Sequence, residues 1–336
     1  MPLIPPSRSV RLIKCHAVGH DNMGRMRAVA TLLLSLALVC TVIAASPTQD
    51  NDTLRVSVDL VNVPFSVTDR QGRFVPGLTA KDFLVQEDGR RQEIRNFAGE
   101  NELPITLALL VDTSPSVRPV FDQEKTTAKA FLESIIRTED LALVIAFDRA
   151  VTLVQDYTEN VRLLHRAIDD LEIGGGTSVY DAVYLASKEL ESEAGRKAIV
   201  LISDGEDTTS KLRFDEALRA ALDSDAIIYS ISNNTGSTFP YFRRGRGGYG
   251  RGDLNTLRRF SSETGGATFV VNNETTFAKV FEQIARELRS QYSLGYLSTN
   301  SVRDGKFRQI KITARDSSYT VRARRGYYAA RGTDTR

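Results

Sequence analysis

At 336 residues the chain exceeds one average domain, and a hydrophobic content of 41% belongs to globular material, so two or three folded units are expected. Lys and Arg total 44 against 42 Asp and Glu, but Arg8, Arg11, Lys14, Arg25 and Arg27 face only Asp21 within residues 1–45. The remainder is slightly acidic, which excludes a general nucleic-acid binder. Both cysteines, Cys15 and Cys40, lie in the same stretch, so beyond it there is no disulfide framework, thiol nucleophile or thiolate metal site.

In chain order, Arg25 and Arg27 precede an apolar run over residues 28–45 that ends in the small residues Ala44, Ala45 and Ser46. Basic, then apolar, then small is the pattern of a secretory signal peptide, placed here at residues 1–45. The run is near the minimum length of a spanning helix, so an uncleaved N-terminal membrane anchor is the alternative. Residues 46–53 are polar and read as a linker. Alternating apolar residues from 54 to 97, broken at Arg70-Gln71-Gly72 and Glu87-Asp88-Gly89, predict a small β segment within residues 46–103.

Residues 104–291 change character. Strands are expected at 105–111, 141–147, 197–203, 226–231 and 267–271. Helices are expected at 121–137, 160–173, 179–193, 214–223, 253–264 and 275–291, with Asp253 capping the fifth. A further strand at 151–154 pairs with 141–147 across Asp148 and Arg149. This alternation predicts an α/β fold: a doubly wound, mostly parallel sheet with helices on both faces. Strands return in residues 292–330 as YSLGYLS, a turn at Asp304-Gly305, FRQIKITAR and YTVRARRGYY. The two β segments, four strands before and three after, are expected to pair across the inserted domain into one sandwich. Residues 331–336 read as a frayed tail, and the Arg/Gly-rich run at 243–252 as a mobile loop.

The chemistry gathers on three loops. The run ITLALLVDTSPS delivers Asp112, Ser114 and Ser116 at alternate positions after an apolar strand. Gly174-Gly175-Gly176 precedes Thr177 on a flexible turn, and Asp204-Gly205 ends the strand at 197–203. In an open α/β sheet, loops at the carboxyl ends of neighbouring strands meet where the strand order reverses. Five oxygen donors at one such edge suit a hard cation such as Mg²⁺. Each piece also has a plainer reading, as a helix cap or a turn, but the joint pattern favours the metal site. Asp181, Glu206 and Asp207 are expected to be solvated or supporting groups. His165, the sole histidine after residue 45, sits beside a helical stripe of Val161, Leu164, Ile168 and Leu171 with no catalytic role. Arg251-Gly252-Asp253 spells an adhesion tripeptide but reads better as a loop ending in a helix cap.

Asp112-x-Ser114-x-Ser116 with the distant Thr177 and Asp204 resembles the von Willebrand factor type A domain and its metal-ion-dependent adhesion site, over about residues 104–291. The flanking VTDRQGRFVPGLTAKDFLVQEDGRRQEI, QYSLGY and RRGYY resemble a bacterial, acidobacterial-type subfamily that sets this domain between two β segments. The resemblance implies a Mg²⁺ ion, with Mn²⁺ or Ca²⁺ as substitutes. One coordination position would be left open to an Asp or Glu of a protein ligand. Integrin-type relatives place adjacent acidic residues after the second serine, where Pro119 and Val120 stand here, so one cation and no neighbouring Ca²⁺ site are expected. The implied function is an exported adhesion or protein-binding module of the envelope or periplasm, not an enzyme. A metal-dependent phosphoryl hydrolase is the rival, since such enzymes also place an Asp after the first strand. However, Ser114 stands where a second, proton-donating Asp is wanted, and no nucleophile elbow is present. A structural envelope protein that binds through its β segments is the third reading.

Overall fold

The computed structural model describes residues 60–99, 103–232 and 253–331, all within one compact unit, Val58–Arg336. The expected signal peptide, the 46–53 linker, the 243–252 loop and the tail from 332 onward lie outside the described residues.

The centre is a six-stranded sheet built around β5 (Ile105–Asp112), every residue of which is buried. A continuous apolar run is what a parallel strand covered on both faces requires. Leu107, Leu109 and Val111 face one layer, with Phe131 and Leu132 of α1 (Phe121–Ile135), Leu164 of α2 (Val161–Asp169) and Ile284 of α6 (Phe277–Arg289). Ala108 and Leu110 face the other, with Val183 of α3 (Val179–Leu190), Ala217 and Ala221 of α4 (Phe214–Asp223) and Phe260 of α5 (Leu254–Thr264). Each such leucine contributes about 2 kcal/mol on burial.

The strand order is β10-β9-β8-β5-β6-β7, with β6 at Leu141–Phe147, β7 at Val151–Thr158, β8 at Arg196–Ser203, β9 at Ile227–Ser232 and β10 at Thr268–Val270. All neighbours run parallel except the hairpin β6–β7. From β5 the chain winds outward to β6 and β7, then returns to β8 on the opposite side of β5. The order therefore reverses between β5 and β8, and their carboxyl ends open the crevice where such sheets bind ligands. The register pairs Val111 with Ile202, which brings Asp112 level with Ser203.

The flanking segments form two four-stranded sheets, ordered β13-β1-β11-β4 and β14-β12-β2-β3. Before the α/β layer come β1 (Leu60–Thr68), β2 (Phe83–Glu87), β3 (Arg90–Gln92) and β4 (Ile94–Ala98). After it come β11 (Tyr292–Leu297), β12 (Phe307–Ala314), β13 (Thr320–Ala323) and β14 (Gly326–Tyr328). Each sheet mixes strands from both ends of the chain, with β1 between β11 and β13 and β2 against β12. Val63, Phe65, Phe83, Val85, Leu294 and Ile312 share one core between them. The β2–β3 turn carries Asp88 at φ 48° and Gly89 at φ 79°, the two positive values that let a two-residue hairpin follow the strand twist.

Two expectations need correction. YTVRARRGYY is two strands, β13 and β14, in different sheets. The break falls at Arg324, buried with its guanidinium on the Leu222 and Asn62 carbonyls and paired with Asp225. That division makes four strands after the α/β layer where three were expected, while the Asp304-Gly305 turn lies between β11 and β12 as expected.

Candidate metal site

Asp112 is the last residue of β5 and fully buried. Its Oδ1 accepts the Ser114 N–H at 2.8 Å, which turns the chain sharply after the strand. Its Oδ2 accepts the hydroxyl of Ser203, the last residue of β8, at 2.6 Å. Ser114 Oγ and Ser116 Oγ lie 2.9 Å apart on a 3-10 turn over Pro115–Val117. Ser114 is buried and Ser116 exposed, so the pair runs from the interior to the surface.

Asp204 follows Ser203 and is 7% exposed, with Oδ1 accepting the Glu206 N–H at 3.0 Å. Gly205 donates its N–H to Ser203 Oγ at 3.0 Å and holds φ at +82°. A Cβ there would stand 2.5 Å from the Asp253 carbonyl oxygen, so this turn against α5 requires glycine. Thr177 is tied in through its backbone. Its N–H donates to Thr208 Oγ1 at 2.9 Å, and its carbonyl accepts the N–H groups of Thr208 and Thr209 at 2.8 and 3.0 Å. Its hydroxyl enters no hydrogen bond among the described residues. Gly174 N–H donates to the Thr113 carbonyl at 2.8 Å. The three predicted loops are thus stitched to one another. Asp112, Ser114 and Ser116 are linked directly, Asp204 adjoins Asp112 through Ser203, and Thr177 joins by main-chain bonds.

Burial pushes the Asp112 carboxyl up to about 6, and the charge of Asp204 adds to the rise, against the lowering effect of the Ser203 and Ser114 hydrogen bonds. Glu206 is raised too, by burial first and then by Asp204. No ion pair among the described residues involves Asp112 or Asp204. Two buried carboxylates at neighbouring strand ends without a basic partner are costly unless a cation joins them. The surrounding donors are oxygens, the set a hard divalent ion takes. The residues present therefore fit such an ion.

Ser203 went unread in the sequence, where it looked like the end of an apolar run; a hydroxyl beside Asp204 was the available signal. Asp148 and Thr208 were likewise unread, because their contacts are long-range. Asp181 accepts the Lys211 and Leu212 N–H groups, and Asp207 the Ser210 hydroxyl at 2.5 Å. Both brace the 207–212 loop. His165 Nε2 lies 3.0 Å from the Lys129 carbonyl oxygen, at the edge of α2. Asp253 accepts the Asn255 N–H at 3.0 Å and the Thr256 hydroxyl at 2.5 Å, capping α5; Arg251 and Gly252 lie outside the described residues.

Residues 107–206, which span β5 to the loop after β8 and include all five predicted donors, match the profile of the von Willebrand factor type A domain. This match assigns residues 107–206 to a von Willebrand factor type A (VWA) domain. An uncharacterized protein of Borreliella burgdorferi is 23% identical to it over 197 residues, 54% of this chain and 58% of that protein; the match thus spans little more than half of the relative's length. Among solved structures, the conserved hypothetical protein BatB of Bacteroides thetaiotaomicron is similar at 17% identity and a TM-score of 0.45, over 55% of this chain and 97% of that one. A von Willebrand factor type A protein of Catenulispora acidiphila is similar at 12% identity and a TM-score of 0.43, over 82% and 74%. The vWF domain of the type V pili tip protein Mfa5 of Porphyromonas gingivalis is similar at 13% identity and a TM-score of 0.41, over 55% and 94%.

Proposed function

We propose that this VWA protein is an exported, divalent-cation-dependent protein-binding module, with Asp112, Ser114, Ser116, Thr177 and Asp204 holding the ion as a metal-ion-dependent adhesion site. The observation that carries the reading is Asp112. It is a fully buried carboxylate next to a second acid, hydrogen-bonded only to serines among the described residues. When bound, Mg²⁺ supplies a positive centre with a coordination position that a partner's Asp or Glu can fill; Mn²⁺ is the natural substitute. Ser203 fixes one oxygen of Asp112 and the Ser114 N–H the other, so the carboxylate is oriented before any ion arrives. Ser114 and Ser116 offer neutral oxygens, which leave the ion's charge incompletely balanced and attractive to an acidic side chain. Among the described residues the Asp112 carboxylate hydrogen-bonds only to serines, and the one described histidine, His165, sits instead against the Lys129 carbonyl, which favours binding over hydrolysis. The signal-peptide pattern read in residues 1–45, with its apolar run at 28–45, supports placement in the envelope or outside the cell.

Capture of partners from envelope extracts on the immobilised protein tests this. Binding is expected in Mg²⁺ and absent both with chelator and for Asp112→Ala. Capture that survives both changes would move the binding surface elsewhere, to the β sandwich first.

A further inference from the structure

The β6–β7 hairpin supplies none of the five proposed donors, yet it bonds to two of the three loops that do, the one after β5 and the glycine turn before Thr177. Thr113, between Asp112 and Ser114, donates its N–H to the Phe147 carbonyl at 2.9 Å. Asp148 follows, with Oδ1 on the Ala150 N–H at 2.7 Å and Oδ2 on the Gly175 N–H at 3.1 Å. Arg149 accepts the Ser178 hydroxyl on its carbonyl at 3.2 Å. Gly174, Gly175 and Thr177 therefore hang between the Thr113 carbonyl on one side and the hairpin on the other.

The fit at Gly174 is tight. A Cβ there would fall 1.5 Å from Asp148 Oδ2 and 2.6 Å from its Cγ. Both oxygens of that short side chain are already engaged, so it cannot swing aside without releasing Gly175 or opening the hairpin. The glycine is needed because the carboxylate occupies the space a side chain would take. A three-glycine turn is otherwise free to wander, since glycine has the largest backbone entropy to lose. One fixed acceptor on its middle N–H removes much of that freedom.

We propose that Asp148 is a positioning residue for the cation site. It clamps the Gly174–Gly176 turn through the Gly175 N–H and so holds Thr177 against the Asp112–Ser116 loop, and Gly174 is the space that lets it do so. This rests on the metal reading above. Outer groups that orient metal ligands are worth tenfold to a hundredfold in affinity.

Mn²⁺ binding, followed by electron paramagnetic resonance, is measured for the wild type, Asp148→Ala, Gly174→Ala and the double variant, with amide hydrogen exchange of the metal-free proteins alongside. Asp148→Ala is expected to weaken Mn²⁺ binding about tenfold or more and to speed exchange at residues 175–177. Gly174→Ala is also expected to weaken binding. In that background removal of Asp148 should raise affinity again, up to the level of Asp148→Ala, because the carboxylate is then the obstacle. A sign reversal of this kind cannot come from a residue that ligates the ion itself, and thermal melts confirm that each variant is folded. Wild-type affinity in Asp148→Ala, or further weakening in the double variant, would overturn the clamp. Unchanged exchange with metal binding intact would do the same. No Mn²⁺ uptake by the wild type would instead remove the metal reading, and with it the purpose of the clamp.

Discussion

Asp112 is where sequence, energy and function meet most sharply. Placed at the end of a strand whose every residue is buried, its carboxylate is charged at neutral pH only at the expense of desolvation, which holds its proton up to about 6. An acid whose pKa rises on folding contributes stability below its unfolded value near 4 and loses it as pH climbs through about 6. In metal-free protein at pH 8, Asp112→Asn is therefore expected to be more stable than the wild type by on the order of 1–3 kcal/mol, an advantage that fades towards pH 4. The amide can still accept the Ser114 N–H and donate to Ser203. Added Mg²⁺ should stabilise the wild type and leave the variant unchanged. Denaturant titrations at the two pH values check this; a variant less stable than the metal-free wild type at pH 8 would mean that Asp112 is satisfied without a cation. The proposed donors Asp112, Ser114, Ser116, Thr177 and Asp204 stand out in the sequence because their residue types and strand-end positions are local. Ser203 and Asp148 do not, because their roles depend on which strands become neighbours.

Elements were legible where burial is symmetrical. β5, β8 and β9 are continuous apolar runs, which parallel strands under two helical layers must be. The α4 bounds, 214–223, agree with the expectation, since its caps are local. Helix α2 ends at Asp169, four residues before the apolar pattern does. Leu171 continues the stripe and is buried, but the chain has already left the helix to bring Gly174 to the Thr113 carbonyl. The C-terminal strands misled for a related reason. β13 and β14 read as one alternating run, and only the tertiary partners of Arg324 divide it between two sheets. Local pattern sets what an element can be, while long-range hydrogen bonds decide where it stops.

At the scale of the whole molecule, the α/β layer is inserted between the two halves of a sandwich, and the halves hold each other through β1–β11, β1–β13 and β2–β12. The sandwich is joined to the α/β layer by Glu287 of α6, which is 1% exposed. It accepts the Ser66 hydroxyl from β1 at 3.0 Å and the Tyr229 hydroxyl from β9 at 2.9 Å, and it pairs with Arg322 of β13. Removing one partner of a buried pair costs about 3–5 kcal/mol, less where the other keeps access to water, as Arg322 does. Glu287→Ala is accordingly expected to lose about 2–4 kcal/mol. Wild type and variant should each unfold in a single transition, with circular dichroism and tyrosine fluorescence coincident. Two separated transitions in the wild type would show that the sandwich and the α/β layer fold independently.

Calorimetric titration of Mg²⁺ or Mn²⁺ into the purified protein and into Thr177→Ala tests whether the loops that carry Asp112, Thr177 and Asp204 hold one ion between them. Thr177 is tied in through its backbone, and its hydroxyl enters no hydrogen bond among the described residues. One bound ion per chain, with affinity sharply reduced in Thr177→Ala, is the predicted result. No heat of binding in the wild type, or the same affinity without the Thr177 hydroxyl, would contradict it.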